Sequence, residues 1–203
     1  MTTATAEQPP TPVAPGPARM VVVAVAVAVA VVGVVWVALG PLKDSVSTGG
    51  ELRAAFPDIA DPAWRCSSDD EFTAGYLYVC ETAGGPYNAP TVLFLEFPEP
   101  ITIDATVAEV EAAHREAARE NQSGIESELT LLGTDDWAPA DGSAWGRVAR
   151  FRFDNRDIGD VVYSAYYRYA DKPFGVTVYA RSLGELDQVA ASLDLPAPAD
   201  LPG

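Results

Sequence analysis

The chain has 203 residues with a formal net charge of −16, 29 acidic against 13 basic side chains, one histidine and two cysteines. Such an acid excess repels phosphate, so nucleic-acid binding is excluded as a function class. One histidine and two cysteines leave too few ligands for a four-coordinate metal site and too few partners for a nucleophilic triad.

Residues 1–19 are rich in Pro, Thr and Ala with almost no apolar bulk. They bury too little surface to offset ordering entropy and are expected to form a disordered cytoplasmic tail. The stretch that follows, Met20–Leu39, is MVVVAVAVAVAVVGVVWVAL, without a charge, amide or hydroxyl. As a helix it would be about 30 Å long, the thickness of a bilayer's hydrocarbon core. Its Val-Ala alternation has the period of a strand, but strands are short and need a second face for water. A cleaved signal peptide would carry a shorter apolar core, and the small-x-small site Ala38-Leu39-Gly40 is followed directly by Pro41. The reading is an uncleaved, single-pass signal-anchor with the lipid bilayer as its partner. Arg19 lies before the span and Lys43 and Arg53 after it, so positive charge does not decide orientation. All of the −16 lies beyond residue 40, which disfavours holding that part against the anionic cytoplasmic leaflet. The expectation is a cell-membrane protein with an extracytoplasmic C-terminal part.

Residues 40–48 read as a juxtamembrane linker, and 49–195 as one α+β domain large enough for a single core. Thr48-x-x-Glu51 is a capping box for a short helix over Gly50–Phe56, whose inward side would be Leu52, Ala55 and Phe56. Trp64–Cys66 and Gly75–Glu81 read as two strands joined by an acidic loop. Cys66 and Cys80, on paired strands, are placed for a disulfide worth about 3 kcal/mol. Reduced core thiols are the alternative if the domain faces the cytoplasm. Thr91–Phe97 is nearly continuous in apolar residues, as in a strand covered on both faces.

Thr106-x-x-Glu109 looks like a second capping box, opening a helix to about Asn121. Its apolar stripe would be Val107, Val110, His114, Ala117 and Ala118. His114 titrates near neutrality but sits on an alanine-lined stripe, and is read as a half-buried packing residue. Glu128–Leu132 makes a further strand, with 133–144 as a loop. Trp145–Phe153, Val161–Tyr169 and Gly175–Arg181 then form an antiparallel meander. Ser182-x-x-Glu185 caps a last helix, Leu183–Ser192, with Leu186, Val189 and Leu193 inward. Residues 196–203 read as a flexible tail. The whole is an antiparallel sheet of five to seven strands with two or three packed helices.

The meander is the basic part of an acidic chain: residues 147–181 hold seven basic groups against four acids. Period-two alternation puts Arg150 and Arg152 in one row, Ser164, Tyr166 and Arg168 in a second, and Thr177, Tyr179 and Arg181 in a third. If the rows meet, one sheet face becomes an arginine–tyrosine lattice. That lattice either balances the protein's own acids or binds a small anionic or carbohydrate ligand through Arg150, Arg152, Tyr166, Arg168, Tyr179 and Arg181. Asp154, Asn155, Asp157 and Asp160 fail the spacing of a calcium loop. No catalytic residue, cofactor or metal is indicated, and no nucleophile-elbow, Walker, dinucleotide or zincin pattern is present.

The run LRAAFP, the two cysteines fourteen apart and YNAPTVLFLEF before a helix resemble extracytoplasmic sensor-type domains of actinobacterial single-pass membrane proteins. Some such domains are attached to receptor Ser/Thr kinases. The resemblance covers about 41–120 and, of functional residues, implies only the cysteine pair; the anchor and the absence of a catalytic motif point to a binding or accessory role, with a membrane or envelope protein or a small ligand as partner. Eleven Arg to two Lys fits a GC-rich genome. A cell-envelope hydrolase using carboxylates and a structural subunit of a membrane assembly are the alternatives.

Overall fold

The computed structural model describes residues 50–56, 59–69, 76–82, 90–120, 127–138, 142–156 and 159–202. The Met20–Leu39 segment, the linker after it and Thr48 of the first capping box lie outside these residues. Among the described residues no helix is long and apolar enough to cross a membrane.

Among the described residues, three α-helices and seven strands make an α+β fold. The helices are α1 (Gly50–Ala55), α2 (Ile103–Glu120) and α3 (Leu183–Ser192). The strands are β1 (Trp64–Asp69), β2 (Tyr76–Thr82), β3 (Thr91–Glu96), β4 (Ser127–Trp137), β5 (Gly146–Asn155), β6 (Asp160–Tyr169) and β7 (Phe174–Ala180). They form one antiparallel sheet in the order β1-β2-β3-β7-β6-β5-β4. β1–β3 and β4–β7 are each built from sequential neighbours. β7 joins the two groups by pairing with β3 on one side and β6 on the other.

Alternation along each strand sends side chains to two different cores. On one face, Tyr78, Cys80, Val92, Phe94, Val176 and Val178 meet α1 and α3. Phe56, 1% exposed, stacks on Phe94 at 4.9 Å and meets Phe174 edge-on at 5.9 Å. The end of α1 thus delivers Phe56 as an aromatic plug into the sheet, and Leu52, Ala55 and Phe56 are buried as their spacing predicts. Helix α3 adds Leu186 and Val189 to the same core. The opposite face carries a smaller core of Ile103, Val110, Ala149, Phe151 and Tyr166 beneath α2.

Cys66 and Cys80 are directly opposed in β1 and β2 and form a disulfide, with Cα atoms 4.0 Å apart. Ser182 caps α3 as expected, its hydroxyl accepting from the Glu185 amide at 3.1 Å. The Glu185 carboxylate reaches one residue further back than in a standard box and accepts from the Arg181 amide at 2.8 Å.

Four expectations are corrected. Strand β1 runs on through Ser67, Ser68 and Asp69, read as loop, because β2 pairs with it as far as Leu77. Helix α2 starts one turn earlier: Thr102 is the capping side chain, accepting from the Ala105 amide at 3.2 Å, and Thr106 is buried inside the helix. Its buried side is Ile103, Thr106, Val110 and Ala113, while Ala118 is exposed. Strand β4 runs on through Asp135 and Asp136, read as loop, because those acids find arginines on β5. A bulge at Leu131/Gly133 bends it, with Gly133 at φ +156°, which glycine adopts without strain. The stretch expected to fray is instead packed down. Leu201 is 4% exposed in the main core, the Tyr169 hydroxyl donates to the Pro196 carbonyl at 3.0 Å, and Lys172 Nζ donates to the carbonyls of Leu201 and Pro202.

Leu201→Ala removes a buried side chain from that strap and is expected to destabilise by about 2–5 kcal/mol. Urea unfolding measures it, and an unchanged midpoint would contradict the packing.

Candidate functional site

The six residues singled out by the meander's charge pattern do not share a face. Tyr166 pairs with Thr177 and Ser164 with Tyr179, so Tyr166, Arg168 and Tyr179 lie together on the α2 side. Arg150 pairs with Ala165 and Arg152 with Tyr163, which places both arginines on the α1/α3 side. The lattice is therefore split, because β5 meets β6 in the register that opposes Ala149, not Arg150, to Tyr166. Arg181 lies beyond the end of β7, exposed, with Nε 3.9 Å from Glu185.

On the α2 side, Arg168 is 7% exposed. A buried guanidinium needs its donors satisfied and its charge compensated. Nε donates to Thr106 Oγ1 at 3.0 Å and Nη1 donates to the Tyr167 carbonyl at 3.0 Å. The cation lies over the rings of Phe97 at 4.9 Å and Tyr166 at 5.7 Å. Gly175 makes room for it: a Cβ there would come within 2.6 Å of Nη1. Burial lowers the Arg168 pKa to about 10, partly offset by Tyr166, Tyr179 and Glu109. Burial in turn raises Glu109 against the pull of Arg168. The Tyr166 and Tyr179 hydroxyls are 3.4 Å apart. These contacts make Arg168 a closed structural node tying α2 to β6 and β7.

His114, on the same helix, places Nε2 3.2 Å from Ser127 Oγ and meets Phe153 edge-on. It is half-buried, as read from its stripe. Burial, then the neighbouring Arg115 charge, lowers its pKa from 6.5.

On the other face, a cleft of about 280 Å³ opens between the sheet and α3. Trp137, Arg150 and Tyr167 line it from β4, β5 and β6, and Asp187, Ala190 and Leu195 from α3 and the strap after it. Arg150 Nη1 pairs with Asp135 at 2.7 Å, and its Nε lies 4.0 Å from Asp187. Tyr167, hydrogen-bonded to Arg150, has its pKa raised by burial and lowered by that arginine. Trp137 meets Trp145, Tyr167 and Tyr169 edge-on at 4.7–5.5 Å. Arg152 is held nearby on its own strand by Asp154 at 2.7 Å.

Of this cleft only Arg150 was legible as a candidate. Trp137 falls in the stretch expected to be a loop, and no local pattern singles out Asp187 on α3. The signal available was the pairing of an Asp-Asp step with the alternating arginines of the next strand. Comparison of the chain with models of protein families, with characterised proteins and with solved structures finds no match in any of the three.

Thr106→Val keeps the shape of the side chain but strips Arg168 of one acceptor. It is expected to destabilise by about 1–3 kcal/mol in urea unfolding; a loss below about 0.5 kcal/mol, the range of neutral surface changes, would contradict the node. His114 is held neutral in the folded state. Its contribution is therefore complete above the unfolded pKa of 6.5 and is lost as pH falls through the lower folded value. Relative to His114→Gln, the native chain should lose stability on acidification below pH 6.5. A constant difference between the two across that range would refute it.

Proposed function

We propose that this chain is a membrane-anchored, extracytoplasmic binding or accessory protein, sensor-like and non-enzymatic. The observation that carries the reading is the cross-strand bond between Cys66 and Cys80, in a chain that also contains the uncharged span Met20–Leu39. A disulfide persists in an oxidising compartment and is rare where glutathione keeps thiols reduced. A span of that length and composition is long enough to cross a bilayer as a helix. Together they support a reading with the folded part outside and the Pro-rich residues 1–19 inside.

The described chemistry suits recognition better than turnover. Arg168 is packed and satisfied, the tyrosine hydroxyls beside it point to each other, and His114 is turned to a serine and a phenylalanine. The cleft presents a tryptophan, a tyrosine and paired charges, the kind of lining that fixes a ligand's orientation. The partner of such a module is a small ligand or another membrane or envelope protein.

Right-side-out membrane vesicles test the placement. External protease should digest the folded part while sparing residues 1–19, and Cys66 and Cys80 should resist alkylation until reduced. A protected domain with freely alkylated cysteines would contradict the proposal.

A further inference from the structure

The cleft beside α3 has a charge sign that can be worked out from its own residues. Among the described residues that line it Arg150 is the one cation, and Asp135 neutralises it at 2.7 Å. A ligand carboxylate would have to displace that contact in a chain of net charge −16. Asp136 also borders the cleft, but its carboxylate is turned to Arg147, 3.9 Å away. Asp187 is the acid left over. Its carboxylate is 65% exposed and only loosely engaged, 4.0 Å from Arg150 Nε.

The helix that carries Asp187 adds to this. Ala190 and Leu195 line the cleft at the C-terminal end of α3, and the last turn of α3 holds no basic residue. The end carbonyls of a helix carry a partial negative charge that a cation ordinarily offsets. Here the Ser192 hydroxyl donates to the Val189 carbonyl at 2.7 Å, and no Lys or Arg follows within the turn. The remaining wall is aromatic and aliphatic: Trp137, Tyr167 and Leu195. Ring faces attract cations, and apolar walls take up a hydrocarbon body.

We infer that this cleft is a subsite for a small organic cation with an apolar body, an alkylammonium group such as a lysine side chain or an aliphatic amine carries. Asp187 and the carbonyl end of α3 hold the charge, while Trp137, Tyr167 and Leu195 hold the carbon chain. The negative field of the whole chain concentrates such ligands at the surface. The inference deepens the binding reading and rests on it. It does not depend on which side of the membrane the cleft faces, so the vesicle experiment can fail without affecting it, and the reverse.

The test is titration of the full chain, in zwitterionic micelles, with n-butylammonium chloride and separately with n-butanol at matched ionic strength. The readout is the Trp137 indole N–H resonance, assigned by its loss in Trp137→Phe. Butylammonium should shift it saturably and butanol should bind more weakly. Asp187→Asn, a change at an exposed side chain, should weaken the ammonium about two- to fivefold, the size of one exposed charge contact. Glu99→Gln, an equal charge change outside the cleft, should leave it unaltered. Equal binding of the alcohol, an equal loss in both variants, or no saturable shift would overturn the inference.

Discussion

The pairing of β7 between β3 and β6 is the constraint on which the rest of the structure depends. Without it the chain holds two separate sheets, a disulfide-stapled group of three strands and a meander with a free edge. With it, Leu93 faces Thr177 and Tyr166 faces Thr177 from the other side, and a continuous surface forms on each face. Val176 and Val178 are fully buried where the two halves join, and Phe56 from α1 touches Phe94 of one half and Phe174 of the other. The joint brings together strands far apart in sequence, so the loop-closure entropy of the chain between them must be overcome before these contacts form.

The same geometry decides where charge can go. A one-residue alternation sends Arg150 and Arg152 to the α3 side and Arg168 to the α2 side. Once separated, each arginine is taken up differently: Arg150 by Asp135, Arg152 by Asp154, Arg168 by Thr106 and two aromatic rings. Arg156 and Glu128 pair across β4 and β5 in the same way. The basic meander thus balances an acidic protein from within, and the charge left over beside α3 has the opposite sign. The wall left open beside α3 is aromatic and negative.

Much of this is legible in the sequence, and the limits have physical causes. The short helix before Phe56, the cysteine strands, the apolar β3, the meander and the Ser182 cap follow from local chemistry that tertiary packing does not override. The start of α2 is ambiguous in the sequence because Thr102 and Thr106 both suit a cap. Only the neighbouring sheet, which offers Arg168 to Thr106, decides between them. Asp135 and Asp136 read as loop because two acids in a row disfavour a strand, until arginines stand opposite. The order β3-β7-β6 and the cross-strand register are long-range facts. No local pattern fixes them, and the split of the arginines follows from them alone.

Amide hydrogen exchange on the full chain tests the central claim, that the two groups of strands are one cooperative sheet joined at β7. The amides of Val176 and Val178 should exchange only through global unfolding and be the slowest in the molecule, with β1 and β4 faster as the two edges. If the β1–β3 group and the β4–β6 group protected their amides independently, while β7 exchanged as fast as an edge strand, the account would be wrong.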